Sequence, residues 1–100
     1  IHIAKQSASE SCGIDNSCYS PFAVQIDPRD TVTWRNLDRF SHSITSGTPE
    51  NGPDGTFDSG LVVGEQYFSY KFHDEGVFDY YCTIHPWMKG IIIVGEFGES

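Results

Sequence analysis

The stretch Val77-Phe78-Asp79-Tyr80-Tyr81-Cys82-Thr83-Ile84-His85-Pro86-Trp87-Met88-Lys89-Gly90-Ile91-Ile92-Ile93-Val94 says more about the fold than any other part of the chain. Val77–Cys82 is rich in aromatic residues and predicts a strand, and the continuous apolar run Gly90–Val94 predicts another, suited to burial on both faces. Between them, Cys82 to Met88 forms one tight loop that offers a thiolate, an imidazole and a thioether. Pro86 fixes its own φ and restricts His85 before it, and Gly90 lets the chain re-enter the sheet.

Upstream, the same kind of pattern repeats without a sustained helical period. Ile1–Ala4 predicts a weak first strand. In Phe22–Asp27 the apolar Phe22, Val24 and Ile26 share a face, and Asp27-Pro28-Arg29-Asp30 turns the chain. Thr31–Asn36 sets Val32 and Trp34 against Thr31, Thr33 and Arg35. Leu61–Val63 is a short strand. Tyr67–Phe72 alternates Phe68, Tyr70 and Phe72 with Tyr67, Ser69 and Lys71, and His73-Asp74-Glu75-Gly76 turns into the strand that ends at Cys82. The Gly- and Pro-rich stretch Ser46–Gly60 is expected to be an irregular excursion over one edge, with at most a helical turn within Pro49–Asp58. About seven or eight short strands with turns at this spacing predict an all-β, Greek-key β-sandwich with little helix. No repeat or linker divides the chain, so residues 1–100 are expected to form one domain, with an N-terminal strand and a loop in residues 1–21.

Seven Phe, five Tyr and two Trp must carry much of the core, because the hydrophobic fraction is only 38%. The net charge of −8 argues against nucleic acid, which selects basic surfaces, and against an anionic membrane face. No apolar run reaches the roughly 20 residues needed to span a bilayer. A start at Ile1 without a signal segment fits a mature chain released from a longer precursor, or a trimmed segment.

Of the three cysteines, Cys12 and Cys18 sit close together in a Ser/Gly/Asp/Asn-rich loop. A disulfide between them would add roughly 2 kcal/mol by loop entropy and would place the protein in an oxidising, extracytoplasmic compartment. Free thiols or metal ligands are the alternative, but no His or further Cys stands nearby to complete a zinc knuckle. Cys82 is then left unpaired, a state that a bound metal would explain.

Two His, one Cys and a weak axial Met make up the ligand set of a type 1 copper site, in which sulfur suits copper(I) and imidazole suits both oxidation states. His42, Cys82, His85 and Met88 supply that set. Met88 is the diagnostic member, since neither zinc nor a catalytic Cys-His pair needs a thioether. If Met88 only fills the core, three protein ligands and an open axial position remain. Zinc on His42, Cys82 and His85 would lack a fourth strong ligand. A catalytic Cys82–His85 dyad would need an exposed thiolate, whereas Cys82 follows an aromatic strand. His2 and His73 read as ordinary surface histidines.

With these residues in view, the sequence resembles the cupredoxins, the small blue copper proteins. The resemblance rests on Val32-Thr33-Trp34-Arg35-Asn36 leading to His42, and on Phe78-Asp79-Tyr80-Tyr81-Cys82 leading to a C-x2-H-x2-M loop that looks most like that of amicyanin. It covers about Val24 to Val94 and implies a Greek-key sandwich with one copper ion cycling between Cu(I) and Cu(II). It also implies transfer of single electrons between partner proteins, which favours a carrier over an enzyme and leaves the enzyme question open. By position, His42, Cys82 and His85 are equatorial ligands and Met88 is axial. Asn36 and Ser43 stand just behind the ligands. The family commonly has Asn where this chain has Ser43, and a hydroxyl is expected to replace it only in part. His85 is the expected electron port, reached through Pro86, Trp87 and Phe40. Glu50, Asp54 and Asp58 are expected to steer a redox partner with a basic docking surface. An alternative function uses an open axial position for small-molecule redox chemistry or sensing, for example of nitrogen oxides. Copper storage or delivery is a weaker one.

Overall fold

The computed structural model describes residues 1–95. Among them the strands are β1 (His2–Ile3), β2 (Tyr19–Ser20), β3 (Ala23–Ile26), β4 (Thr31–Asn36), β5 (Thr45–Thr48), β6 (Gly52–Asp58), β7 (Tyr67–Lys71), β8 (Gly76–Tyr81) and β9 (Lys89–Val94), with a four-residue helix α1 (Ser11–Ile14) between β1 and β2. They build two sheets, ordered β2-β1-β4-β7 and β3-β9-β8-β5-β6. The neighbours are largely non-consecutive, as a Greek-key sandwich requires.

Alternation accounts for the packing. Val32 and Trp34 on β4 stand opposite Tyr70 and Phe68 on β7, while Phe78 and Tyr80 on β8 stand opposite Ile92 and Gly90 on β9. The inward faces of both sheets meet around Trp34, whose indole lies 5.4 Å from the Tyr80 ring, 5.6 Å from Phe68 and 5.9 Å from Phe57. Each such aromatic buries on the order of 150–250 Å², or about 4–6 kcal/mol at the usual area coefficient, so a few rings offset a modest apolar content. Gly90 is required by its neighbour: a Cβ there would stand 2.2 Å from Tyr80 Cζ and 2.3 Å from its hydroxyl oxygen.

Four expectations need correction. Ser46–Gly60 is not an irregular excursion but mostly an antiparallel hairpin of β5 and β6, with a bulge between Thr45 and Gly47. Its glycines permit this, since Gly47, Gly52 and Gly55 all have positive φ. The helical turn foreseen within Pro49–Asp58 is absent, and the helix lies instead at Ser11–Ile14. Leu61–Val63 forms no strand; Val62 makes only an isolated bridge to His42. On β9 the second face is merely half-covered, with Ile91 and Ile93 intermediate in burial while Ile92 and Val94 are fully buried.

One pairing positions the site. The start of β5 lies against the end of β8, with Thr45 opposite Tyr81. The residues just before β5, including His42, are thereby carried to Cys82 just after β8.

Candidate metal centre

His42 Nδ1, His85 Nδ1 and Cys82 Sγ converge at the end of the sandwich. The two ring nitrogens are 3.1 Å apart, and the sulfur lies 4.0 Å from His42 and 3.7 Å from His85. An ion bonded at about 2.0–2.1 Å to each nitrogen and about 2.3 Å to the sulfur would subtend angles of roughly 100°, 115° and 135° across these separations. Those angles are near-trigonal, so the donor positions fit one small ion. His42, Cys82 and Met88 are fully buried, whereas His85 is only partly covered.

Local hydrogen bonds hold the loop between β8 and β9 in shape. The Cys82 N–H donates to the Met88 carbonyl (3.1 Å), the His85 N–H to the Cys82 carbonyl (3.3 Å), and the Met88 N–H to the His85 carbonyl (2.9 Å). Two turns are thus closed within one loop, which fixes the direction of His85 relative to Cys82.

Ser43 ties the two donor segments together. Its N–H donates to Cys82 Sγ (3.4 Å), and its hydroxyl accepts the Thr83 N–H (3.0 Å). The same hydroxyl meets Thr45 Oγ1 at 3.0 Å. The Ser43 hydroxyl therefore supplies a bond between the two donor segments. Asn36 braces the approach to His42: its side-chain N–H groups donate to the carbonyls of Phe40 (2.8 Å) and Val62 (2.9 Å), and its oxygen accepts the Asp38 N–H.

Asp38 is the residue that sequence reasoning passed over. Its Oδ2 lies 2.7 Å from His42 Nε2, and both side chains are buried. An ionised carboxylate only accepts, so Nε2 carries the proton and Nδ1 presents its lone pair toward Cys82. The other carboxylate oxygen accepts the N–H groups of Gln6 (3.1 Å) and Arg39 (2.9 Å). A usable signal was present, namely an acid four positions before a candidate ligand in a loop.

The electrostatics favour ligand forms at two of the donors. Burial pushes the Cys82 thiol up, but hydrogen bonding with His42 when that imidazole is protonated, and with the N–H groups of Ser43 and the following backbone, outweighs it and leaves the thiol below its ordinary value. Burial, then the neighbouring His42, hold His85 below the usual imidazole value. His42 goes the other way: burial opposes its charge, yet Cys82 and Asp38 together raise it. Burial likewise pushes Asp38 up, and its bonds from His42, Gln6 and Arg39 bring it below the usual carboxylate value. A proton and a metal ion would compete for His42 Nδ1.

Around His85 the surface is apolar. Phe40 is 47% exposed and Ile84 50% exposed. Pro86 is also exposed, and Trp87 is half-buried with its ring 5.3 Å from that of His85. Ile84 was not anticipated in this group. Arg39 stacks on Phe40 at 4.9 Å, so the adjoining charge is positive. Of the acids expected to steer a partner, Asp54 accepts from Ser46 and Thr56, Asp58 from Thr45 and Gly60, and Glu50 is exposed at the hairpin turn.

Comparison with known proteins finds copper-binding relatives. Residues 8–95 match the family model of copper binding proteins of the plastocyanin/azurin family. The chain is 32% identical to an amicyanin of Paracoccus versutus over 82 residues, which covers 82% of this chain and 61% of the relative. It therefore spans about three-fifths of that relative's length. It is 35% identical to a plastocyanin of Scenedesmus fuscus, covering 76% of this chain and 85% of that one. Among solved structures, a purple cupredoxin from Nitrosopumilus maritimus superposes with a TM-score of 0.81 at 29% identity, covering 94% of this chain and 96% of that one.

Proposed function

The chain belongs to the plastocyanin/azurin family of copper-binding proteins, and from that membership we propose that it carries single electrons between redox partner proteins. The bound copper supplies the one-electron couple between Cu(I) and Cu(II). His42 Nδ1, His85 Nδ1 and Cys82 Sγ are the atoms that would hold it, and the buried Met88 at the end of the same loop would add a weak thioether contact. We treat residues 1–100 as one copper domain.

One observation carries this reading above the alternatives. His42, Cys82 and Met88 are fully buried, and the only donor with a surface edge is His85, set in an apolar rim. A substrate seeking direct bonding would have to pass these side chains. A partner protein need only cover the rim formed by Phe40, Ile84, Pro86 and Trp87. Asp38 and Ser43 serve that role by holding the donors still, which suits a centre whose two oxidation states must be accommodated with little movement.

The Cys12–Cys18 disulfide supports an oxidising location outside the cytoplasm. No helix among the described residues is long and apolar enough to cross a membrane.

The test loads the protein with copper(II) and compares it with Cys82→Ser. An intense visible charge-transfer band in the parent that disappears in the variant is the expected result, and its retention would overturn the thiolate assignment. Titration with azide then separates carrier from small-molecule chemistry: a spectrum that barely responds fits a carrier, and a strong response would show an open position.

A further inference from the structure

The N-terminal segment reaches the metal centre at three separate points. The Gln6 N–H donates to Asp38, whose other oxygen holds His42. The Trp87 indole N–H donates to the Ser7 carbonyl at 2.9 Å, tying the loop that bears His85 and Met88. The Tyr19 hydroxyl donates to the Ser43 carbonyl at 2.5 Å, on the residue whose N–H donates to Cys82 Sγ. Each donor segment is therefore gripped by residues between Ala4 and Tyr19.

That grip is closed covalently. Cys12 and Cys18 form a disulfide, and the Ser17 N–H donates to the Cys12 carbonyl within it. The Cys18 carbonyl accepts the Ala4 N–H at 2.8 Å, and the buried Ser7 hydroxyl donates to the Ala4 carbonyl at 2.6 Å. Gly13, inside the ring, leaves room for Trp87: a Cβ there would stand 2.8 Å from the Trp87 Cβ and 3.1 Å from its carbonyl oxygen. The hydrogen bond to Ser7 and the notch at Gly13 are independent features, and both are shaped to Trp87.

We propose that the disulfide-closed segment from Ala4 to Tyr19 is a brace for the metal centre, and that the thiol–disulfide state of Cys12 and Cys18 sets how firmly the two donor segments are held. The proposal rests on the copper reading above. In the oxidised form the segment has few conformations, and its three contacts are presented together. A dithiol reductant would open the brace. One of its thiolates attacks Cys12 Sγ, which is partly exposed, and the S–S bond breaks with Cys18 as the leaving thiolate. The second reductant thiol then displaces Cys12 and closes the reductant's own disulfide. Two electrons and two protons pass to the protein, leaving two thiols. Trp87, Gln6 and Tyr19 are positioning residues here, acting through His85, Asp38 and Ser43.

The test compares the parent with Cys12→Ala/Cys18→Ala, with Trp87→Phe, and with the triple variant. Trp87→Phe keeps the disulfide and an aromatic ring but loses the indole donor. In apoprotein, indole N–H hydrogen exchange by NMR should show Trp87 protected in the parent and exchanging on the order of tenfold faster without the disulfide. In copper(I) protein, extraction by a chelator should accelerate in each variant, and most where the disulfide is gone. The triple variant should be little faster than the double Ala variant, because opening the disulfide already loosens the Trp87 contact along with the other two. A disulfide that stabilises the fold without bracing the site would lower the unfolding midpoint yet give additive extraction rates. That additivity, or parent-like indole exchange in the double Ala variant, would overturn the proposal. Should the double Ala variant not fold, unchanged extraction in Trp87→Phe would overturn it alone. Failure of the parent to bind copper through His42, Cys82 and His85 would defeat the copper reading, while the apoprotein exchange experiment would still decide the brace.

Discussion

Replacing Asp38 with Asn exchanges one oxygen for an NH2 and should disturb the centre more than its distance suggests. One carboxylate oxygen accepts from His42 Nε2 at 2.7 Å, and the other accepts the N–H groups of Gln6 and Arg39. Every group facing this side chain is thus a donor. An amide has one oxygen and one NH2, so the substituted side chain must point its own donors at another donor, whichever way it turns. With NH2 toward His42, the imidazole is driven to the tautomer that keeps its proton on Nδ1, the atom that faces Cys82. With NH2 toward the backbone, two N–H groups lose their acceptor. Loss of such a supporting partner typically costs 10–100-fold in metal affinity, about 1.4–2.7 kcal/mol. The charge matters separately. The carboxylate meets the imidazole at Nε2, across the ring from Nδ1; for a separation of about 6–7 Å from a bound ion, an effective dielectric of 20 gives about 2.5 kcal/mol for a unit change in charge. Expressed for one electron this is on the order of 0.1 V, an upper bound because Gln6 and Arg39 already dilute the charge. Asp38→Asn should therefore raise the copper reduction potential by several tens of millivolts in direct voltammetry and weaken copper(II) in chelator competition. A potential within about 20 mV of the parent, together with unchanged affinity, would show that the carboxylate neither orients His42 nor acts on the ion through its charge.

Other changes follow from the same contacts. Ser43→Ala removes the acceptor of the Thr83 N–H and the partner of Thr45 Oγ1, so it should cost about 1 kcal/mol in chemical denaturation and release copper to a chelator about fivefold faster. Gly90→Ala drives a methyl group into the Tyr80 ring, and a loss of about 1–3 kcal/mol should lower the melting temperature of the apoprotein by roughly 5–20 °C. Acid and base act on the apoprotein through Asp38 and His42. The depressed Asp38 contributes stability that is present above its ordinary 3.8 and is lost as pH falls through its lower folded value. His42, raised from 6.5, contributes stability that is present below 6.5 and is lost as pH rises through its higher folded value. Denaturation midpoints measured across pH should therefore be highest between these two limits, and Asp38→Asn should flatten both flanks.

Some elements were readable because a short pattern suffices to define them. The alternation in Thr31–Asn36 and Tyr67–Phe72 predicts two half-buried strands, which pair directly as β4 and β7. The close spacing of Cys82 and His85 similarly predicts that their donor atoms meet, and Cys82 Sγ lies 3.7 Å from His85 Nδ1. The hairpin of β5 and β6 was not readable in this way. Its Gly and Pro residues suggest a loop, yet glycines in positive φ serve equally well to bulge and turn paired strands. Leu61–Val63 failed for the opposite reason: its apolar residues look like a strand, but only Val62 is buried, where it bridges His42, while Leu61 and Val63 are exposed. Asp38, four positions before His42, was open to a local reading as its partner, whereas Gln6 was invisible as a support because its role depends on long-range placement. Gln6 contributes only its backbone N–H, to a residue 32 positions away, and no side-chain pattern records that contact.

A copper-loaded crystal structure with anomalous scattering is the decisive measurement. It should show a single ion bonded to His42 Nδ1, His85 Nδ1 and Cys82 Sγ, with His42 Nε2 still donating to Asp38 and the Met88 sulfur facing the ion on a longer axial contact. An ion bound away from Cys82, or held through His42 Nε2, would contradict the copper assignment made here.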